Sequence, residues 1–563
     1  MTNAMAQKLP VLLPEIVLFL TTCIVMVVGL SPKVDVRKSC GIISVFGLFI
    51  AGIFAIRQEP AYSSALPHLM PFIKTVIAGV GLLSVLLLAG VVDRREEEEI
   101  AAGARKFNAL QLNRAEFYAF FLFSLTGLML CASATDLIWL FLALELTSLP
   151  TYVMVTISTR GTRSQEAGVK YFFLGALGAA IFLYGFAMLY GGTGTTDLTE
   201  IREILFEQGS TTGLNPLALV GIVMSIIGIG FKIAAVPMHF YTADVYQGAA
   251  SPVSAFLAFV PKTAGFIALL LLLAAVGWDW GAVEGVSTAG VGSSLPEPVW
   301  MTLWVMAVLT MTVGNVLALM QRSVKRLLAY SSIAHSGYIL VGVIAGPPTG
   351  ENASFADNGL AAVLFYLLVY GITNLGAFAV VSMLERRNAA GDAEEIDSFD
   401  ALKGLCRTNP VLGWTMVLCG LSLLGLPPLL GFFSKFVLFS AGISAGEYLL
   451  VVIMGLNSAI AAFYYLRLIG APLLEEPAAD RPQIAPFPSR TLAGVVSAVA
   501  VVALAIVGNV LMESSSRAAT FRTLAELHEA EEHRAPAPEE GDAGHDSNLE
   551  ANAADQGEPV RPS

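Results

Sequence analysis

SPVSAFLAFVPKTAGFIALLLLLAAVG, residues 251–277, is the stretch that decides the fold. As a helix rising about 1.5 Å per residue it measures about 40 Å, more than the roughly 30 Å of hydrocarbon in a bilayer. Its one ionisable residue, Lys262, follows Pro261 near the centre, too deep for the amine to snorkel to water. A charge at the middle of a membrane helix costs about 2.5–3.5 kcal/mol on insertion scales. Three other segments repeat the pattern: Glu145 in DLIWLFLALELTSLPTYVMVTI (136–157), Lys232 in IIGIGFK (226–232) and Lys435 in GFFSKF (431–436). Four such charges must face a polar interior, and the function that requires one is an ion or proton path.

Working outward, the rest of the chain has the same character. Hydrophobic residues make up 55% and charged residues 13%, with a mean hydropathy of +0.71. Apolar runs mark spans at 11–30, 40–56, 71–92, 115–133, 136–157, 169–191, 215–238, 249–277, 298–320, 326–346, 358–384, 409–442, 447–472 and 489–512. The expected fold is therefore an all-α polytopic membrane protein of about 14 transmembrane helices. Lys and Arg concentrate in the odd-numbered connections, from Lys33, Arg37 and Lys38 to Arg481, whereas the N-terminus and even-numbered connections carry only Lys8, Arg57 and Arg202. Positive residues stay cytoplasmic, so both termini are expected outside, on the periplasmic side of a bacterial inner membrane. The first span lacks a small-residue cleavage site and reads as a retained helix.

The net charge of −12 belongs mostly to the end of the chain, where residues 513–563 hold twelve acids against four arginines. Their low hydrophobicity predicts a largely disordered acidic tail. The run Glu96–Glu99 beside Arg94 and Arg95 reads as a solvated loop. Cys23, Cys40, Cys131, Cys406 and Cys419 show no cluster spacing, which gives no set able to hold an iron–sulfur centre. Gly191, Gly192 and Gly194 lack the ending of a phosphate loop, and Asn352-Ala353-Ser354 matches a glycosylation sequon by length alone. Redox chemistry is expected in other chains.

Two spans are predicted to break. Pro237 follows Lys232, with His239, Tyr241 and Asp244 next along a polar passage, and a proline frees backbone carbonyls that survive at membrane depth only against protein or a watery cavity. The 34-residue run 409–442 would reach about 50 Å as one helix, so Pro427-Pro428 with Gly425 and Gly431 should divide it. The breaks lie five spans apart, which predicts two inverted five-helix repeats: helices 1–3 over 1–114, a first repeat over 115–277, a second over 298–472, and helix 14 over 489–512. Alternatives for single residues are a protonated Glu145 bonded to Thr147 or Ser148, a snorkelling Lys232, and a packing role for His335 in YSSIAHSGYILVG. As an imidazole in the tenth span, His335 could bridge two lysines as a proton carrier.

The stretches LALELTSLPTYVMV, EAGVKYFFLGALGAAIFLYGFAMLYGGTGTTDL, FKIAAVPMHFYTADVYQGAASPVSAFLAFVPK and VKRLLAYSSIAHSGYILVG resemble the antiporter-like membrane subunits of respiratory complex I, NADH-quinone oxidoreductase, over about residues 110–470. They most resemble the N-type subunit. GFFSKF places a lysine where the M-type resembles G-x-x-G-E-F, and no long C-terminal amphipathic arm of the L-type is present. The resemblance implies a charge pair of Glu145 and Lys232, a central relay at Lys262 and a terminus at Lys435, with His335 and His239 as further relay candidates. It also implies a redox-driven proton translocase in which NADH, FMN, iron–sulfur clusters and quinone belong to partner membrane and peripheral subunits. A subunit of a multisubunit cation/proton antiporter, with the same ancestral fold and no redox partner, is the competing class.

Overall fold

In hydrocarbon every backbone N–H and C=O must be satisfied internally, so apolar runs of this length can only be helices. The computed structural model describes residues 9–527 apart from 62–63, 212, 281–294, 349–353, 388–392 and 479–480. Twelve described helices are long and apolar enough to cross a membrane. They are α1 (Leu13–Gly29), α2 (Val34–Ile56), α3 (Leu69–Leu87), α4 (Arg114–Ala132), α5 (Leu137–Ile157), α6 (Thr162–Thr193), α9 (Ser251–Val276), α10 (Glu297–Leu319), α11 (Val324–Ala345), α12 (Gly359–Val381), α15 (Tyr448–Leu473) and α16 (Pro488–Ile506). Shorter pieces fill the remaining crossings: α7 (Pro216–Lys232) with α8 (Thr242–Gly248), and α13 (Pro410–Leu424) with α14 (Leu430–Ser444). Counting each pair as one interrupted crossing gives fourteen, the number expected.

The interruptions fall at the prolines. α7 ends at Lys232 and Pro237 lies in the irregular passage before α8, while Gly425, at φ +88°, ends α13 ahead of Pro427-Pro428. A residue with a Cβ is strained at that φ, which is why glycine closes the helix.

Every residue of α9 is buried, and nearly all of α11 and α12 are as well. These three helices form the centre. α1, α2, α6 and α15 surround them and turn large apolar residues such as Phe19, Phe46, Phe173 and Phe463 outward, as a lipid-facing sheath should. Glycines let α6 and α7 touch backbone to backbone: a Cβ on Gly221 would lie 2.5 Å from the Leu189 nitrogen.

The all-α membrane fold holds, with Leu384–Arg387, Ala393–Glu395 and Gln483–Ile484 added as a small antiparallel sheet, the first strand in the middle. Three expectations are corrected. Glu96–Glu99 is not a solvated loop but part of a helix, Arg94–Ala101, whose Glu96 and Glu97 are buried. Glu97 takes a bidentate pair from fully buried Arg37, at 3.0 and 2.9 Å, and lies 3.3 Å from Arg114, while Glu96 meets Arg160. Neighbouring arginines thus draw the acids inward. α2 and α6 begin at Val34 and Thr162, earlier than hydropathy places them, since helix continues through polar interfacial turns. Lastly, the boundary at 513 cuts through a helix, α17 (Gly508–Ala518), after which Thr523–Leu527 is still described. The sequon at Asn352 and the tail from 528 lie outside the described residues.

Candidate functional site

α5 presents the Leu144 carbonyl, Glu145 and Ser148 within about one turn, and the end of α7 delivers Lys232 to them. Lys232 Nζ lies 2.9 Å from Glu145 Oε1, 2.5 Å from Ser148 Oγ and 3.4 Å from the Leu144 carbonyl, with the Phe182 ring 5.7 Å away. Its side chain is 1% exposed, so it does not snorkel, and Glu145 at 18% forms the wetter half of the pair. The alternative of a lone protonated Glu145 bonded to Thr147 or Ser148 is displaced: Thr147 and Ser148 donate to the Ala143 and Leu144 carbonyls.

Lys262 sits on the next element inward. No acid pairs with it among the described residues; its ammonium donates to the Ser332 carbonyl and to Ser336 Oγ at 2.9 Å, both on α11. Ser332 and Ser336 are one helical turn apart, and their stacking creates that seat. Lys232 and Lys262 approach through a glycine. A Cβ on Gly265, one turn past Lys262, would fall 2.8 Å from Lys232 Cβ.

On the far side of Lys262 the path is aromatic. Its Nζ lies 5.8 Å from the Tyr370 ring, which packs 5.0 Å from His335. His335 is held at both nitrogens, Nδ1 to Tyr366 Oη at 2.6 Å and Nε2 to Tyr465 Oη at 2.7 Å. The His335 ring is 5.7 Å from Tyr338, over whose ring Lys435 Nζ sits at 5.5 Å. Lys435 donates to the Leu424 carbonyl, one of those freed by the break between α13 and α14, at 2.9 Å. A cation over each tyrosine face and a charge-assisted bond to a carbonyl stabilise ammonium groups that have no carboxylate partner among the described residues.

Glu145, Lys232, Lys262, His335 and Lys435 therefore lie in one neighbourhood, in which the Lys232 stem meets α9 at Gly265 and tyrosine rings stand between Lys262, His335 and Lys435. His239 does not join it. That ring is buried against Phe240, and no described contact links it to Lys232 or Lys262. Sequence reading missed the tyrosine cage of Tyr338, Tyr366, Tyr370 and Tyr465, for which spacing gives no signal. It also missed a second buried pair, Glu15 with Lys74 at 2.7 Å, to which Ser133 adds a hydrogen bond at 3.2 Å. The criterion that singled out Lys262, a charge inside an apolar span, would have found both. No group of three or more His, Cys, Asp or Glu able to hold a metal occurs among the described residues.

Residues 134–461 match the transmembrane family of NADH:quinone oxidoreductase and Mrp antiporters. The chain belongs to that family. It is 36% identical to NADH-quinone oxidoreductase subunit N of Trichlorobacter lovleyi over 82% of this chain and 87% of that one. Among solved structures it is similar to a chain of respiratory complex I from Thermus thermophilus with bound aureothin, at 29% identity and a TM-score of 0.68, covering 89% of this chain and 99% of that one. A chain of the Mrp complex from a Dietzia species has the same fold, with a TM-score of 0.69 at 19% identity over 93% of this chain and 99% of that one. In this family member, the matched residues run from just before α5 into α15 and so contain Glu145, Lys232, Lys262 and Lys435.

Proposed function

We propose that this chain is the proton-translocating N-type subunit of a bacterial NADH-quinone oxidoreductase, embedded in the inner membrane with both termini on the periplasmic side. NADH, FMN, iron–sulfur clusters and quinone belong to the partner membrane and peripheral subunits, and this chain moves charge in response to their electron transfer. The observation that supports the reading is the succession of ionisable groups at membrane depth, from the Glu145–Lys232 pair past Lys262 and His335 to Lys435.

Two unit charges about 3 Å apart attract by about 6 kcal/mol at an effective dielectric near 20. Opening the Glu145–Lys232 pair is therefore a sufficient switch. A charge change in the neighbouring subunit loosens it, Lys232 passes a proton toward Lys262, and Lys262, which has no carboxylate partner among the described residues, hands it on. His335, gripped by two hydroxyls, can take a proton at one nitrogen and release one at the other toward Lys435. The two half-paths correspond to the proposed inverted repeats, each with its own broken helix.

Lys262→Ala in the assembled complex tests this. Quinone-coupled proton pumping should fall about tenfold or more while NADH oxidation by an artificial acceptor in the peripheral subunits is unchanged; full pumping would refute the relay. Co-purification of flavin and iron–sulfur subunits separates this reading from the antiporter class, which would exchange Na⁺ or K⁺ for protons without NADH.

A further inference from the structure

The end of α7 is closed by a cap that its own sequence disfavours. Lys232 is the last residue of that helix, and two positions on Ala234 takes φ +55°. The Ala234 amide donates to the Phe231 carbonyl at 3.0 Å and the Ala235 amide to the Gly230 carbonyl at 2.8 Å, the pair of bonds that finishes a helix with a left-handed residue just past its end. Glycine ordinarily fills that position, because a Cβ is strained there. Every other left-handed residue among those described is glycine, except Asp93, whose short polar side chain suits the conformation better than a methyl group does.

What holds this cap comes from α10, a helix that supplies none of the ionisable groups of the site. Ala234, Ala235 and Met238 donate within the passage or back to α7, whereas Val236 N donates to Thr310 Oγ1 on α10 at 2.9 Å. Thr310 is fully buried. One turn before it Met306 abuts the last turn of α7: a Cβ on Gly230 would lie 2.9 Å from Met306 Cε. At membrane depth a backbone N–H needs an acceptor, so the threonine oxygen fixes Val236 and with it the strained residue two positions earlier. Just over one turn beyond Thr310, Asn315 Nδ2 donates at 2.8 Å to Tyr338 Oη, on the ring over which Lys435 sits. One helix thus touches the supports of both Lys232 and Lys435.

We propose that Thr310 is a positioning residue for Lys232. Its hydroxyl oxygen holds the strained end of α7 where the amine meets Glu145; without that bond the cap relaxes and the amine withdraws from its partners. Thr310 neither takes up nor releases a proton and acts only through the Val236 amide. The inference rests on the Glu145–Lys232 pair working in the relay, and it adds a support for that pair from the half of the molecule that carries Lys435.

Thr310→Val in the assembled complex tests it, since valine keeps the shape of threonine and removes the acceptor. Assembly should be unchanged on a non-denaturing gel while quinone-coupled proton pumping falls about tenfold. Two changes should each restore most of that loss: Thr310→Ser, which returns the acceptor, and Ala234→Gly added to Thr310→Val, because glycine adopts the left-handed cap without strain and needs no outside hold. Parental pumping by Thr310→Val overturns the proposal, and so does a loss that either change leaves unrepaired. Should Thr310→Val fail to assemble, the double variant decides by the same criterion. Lys232→Ala, run in parallel, separates this idea from the relay. Full pumping there removes Lys232 from the path; lost pumping there beside normal pumping in Thr310→Val removes only the positioning role.

Discussion

Lys435 shows how far a single residue's position depends on neighbours that carry no chemistry. Its stem crosses Gly425, where a Cβ would lie 2.9 Å from Lys435 Cδ, and Gly425 itself sits at φ +88°. Gly425→Ala should therefore cost about 1–2 kcal/mol of local backbone strain and displace the amine from the Leu424 carbonyl. The expected result is an assembled complex with several-fold slower pumping, measured as acidification per NADH; wild-type pumping would show that the amine has room to adjust. At the outer edge, Asp357 accepts from Ser444 Oγ at 2.5 Å and from Ser354 N and Oγ at 2.9 and 2.8 Å. The Ser444 hydroxyl, ahead of the Ser354 groups, holds its carboxyl below the usual range. A depressed carboxyl contributes stability above its unfolded value and loses it as pH falls through the folded one. The thermal-midpoint gap between parent and Asp357→Asn, worth under about 1 kcal/mol at this solvent-screened site, should be constant near neutral pH and close below about pH 4. Glu145, Lys232, Lys262 and Lys435 were legible in the sequence because a charge is conspicuous against Leu, Val and Phe. The tyrosines around His335 were not, since an aromatic in a membrane helix is ordinary and only the packing of α11, α12 and α15 brings their hydroxyls together.

Among the elements, the short helix Arg94–Ala101 carries the largest departure from expectation. Four consecutive acids look like a solvated run, yet Glu97 lies between Arg37 on α2 and Arg114 on α4. Removing it by Glu97→Ala leaves two arginines uncompensated, one of them fully buried, at a cost of about 3–5 kcal/mol. Loss of the subunit from the native complex on a non-denaturing gel is the expected outcome, and a stable, fully assembled variant would count against it. Local reading failed here because pairing partners 60 residues away in sequence set the burial of that helix. Both helix breaks, by contrast, were legible: a proline's missing donor and a run longer than the hydrocarbon are local facts, and α7 and α13 end where those facts put them.

At the scale of the whole molecule, the chain closes on itself outside the hydrocarbon. Arg202, 2% exposed, donates to Asp279 at 3.1 Å and to the Arg522 carbonyl at 2.7 Å, and lies over the Phe521 ring at 4.5 Å, while Arg522 N donates to the Ala65 carbonyl at 3.0 Å. Residues after α17 thus fasten the connection before α3 to the helix Leu198–Thr211. Arg202→Ala should lower the thermal midpoint of the detergent-extracted complex by the equivalent of about 2–4 kcal/mol, with Phe521→Ala giving a smaller share; no change would mean the fastening is idle. Composition could not reveal this clamp, because a tail rich in acids reads as solvated whether or not its first residues dock. The complete enclosure of α9 has a different consequence. A carbene reagent dissolved in the bilayer and activated by light can attack only what touches acyl chains, so peptides from α1, α2, α6 and α15 should carry the label while α9, an equally apolar helix by composition, stays blank.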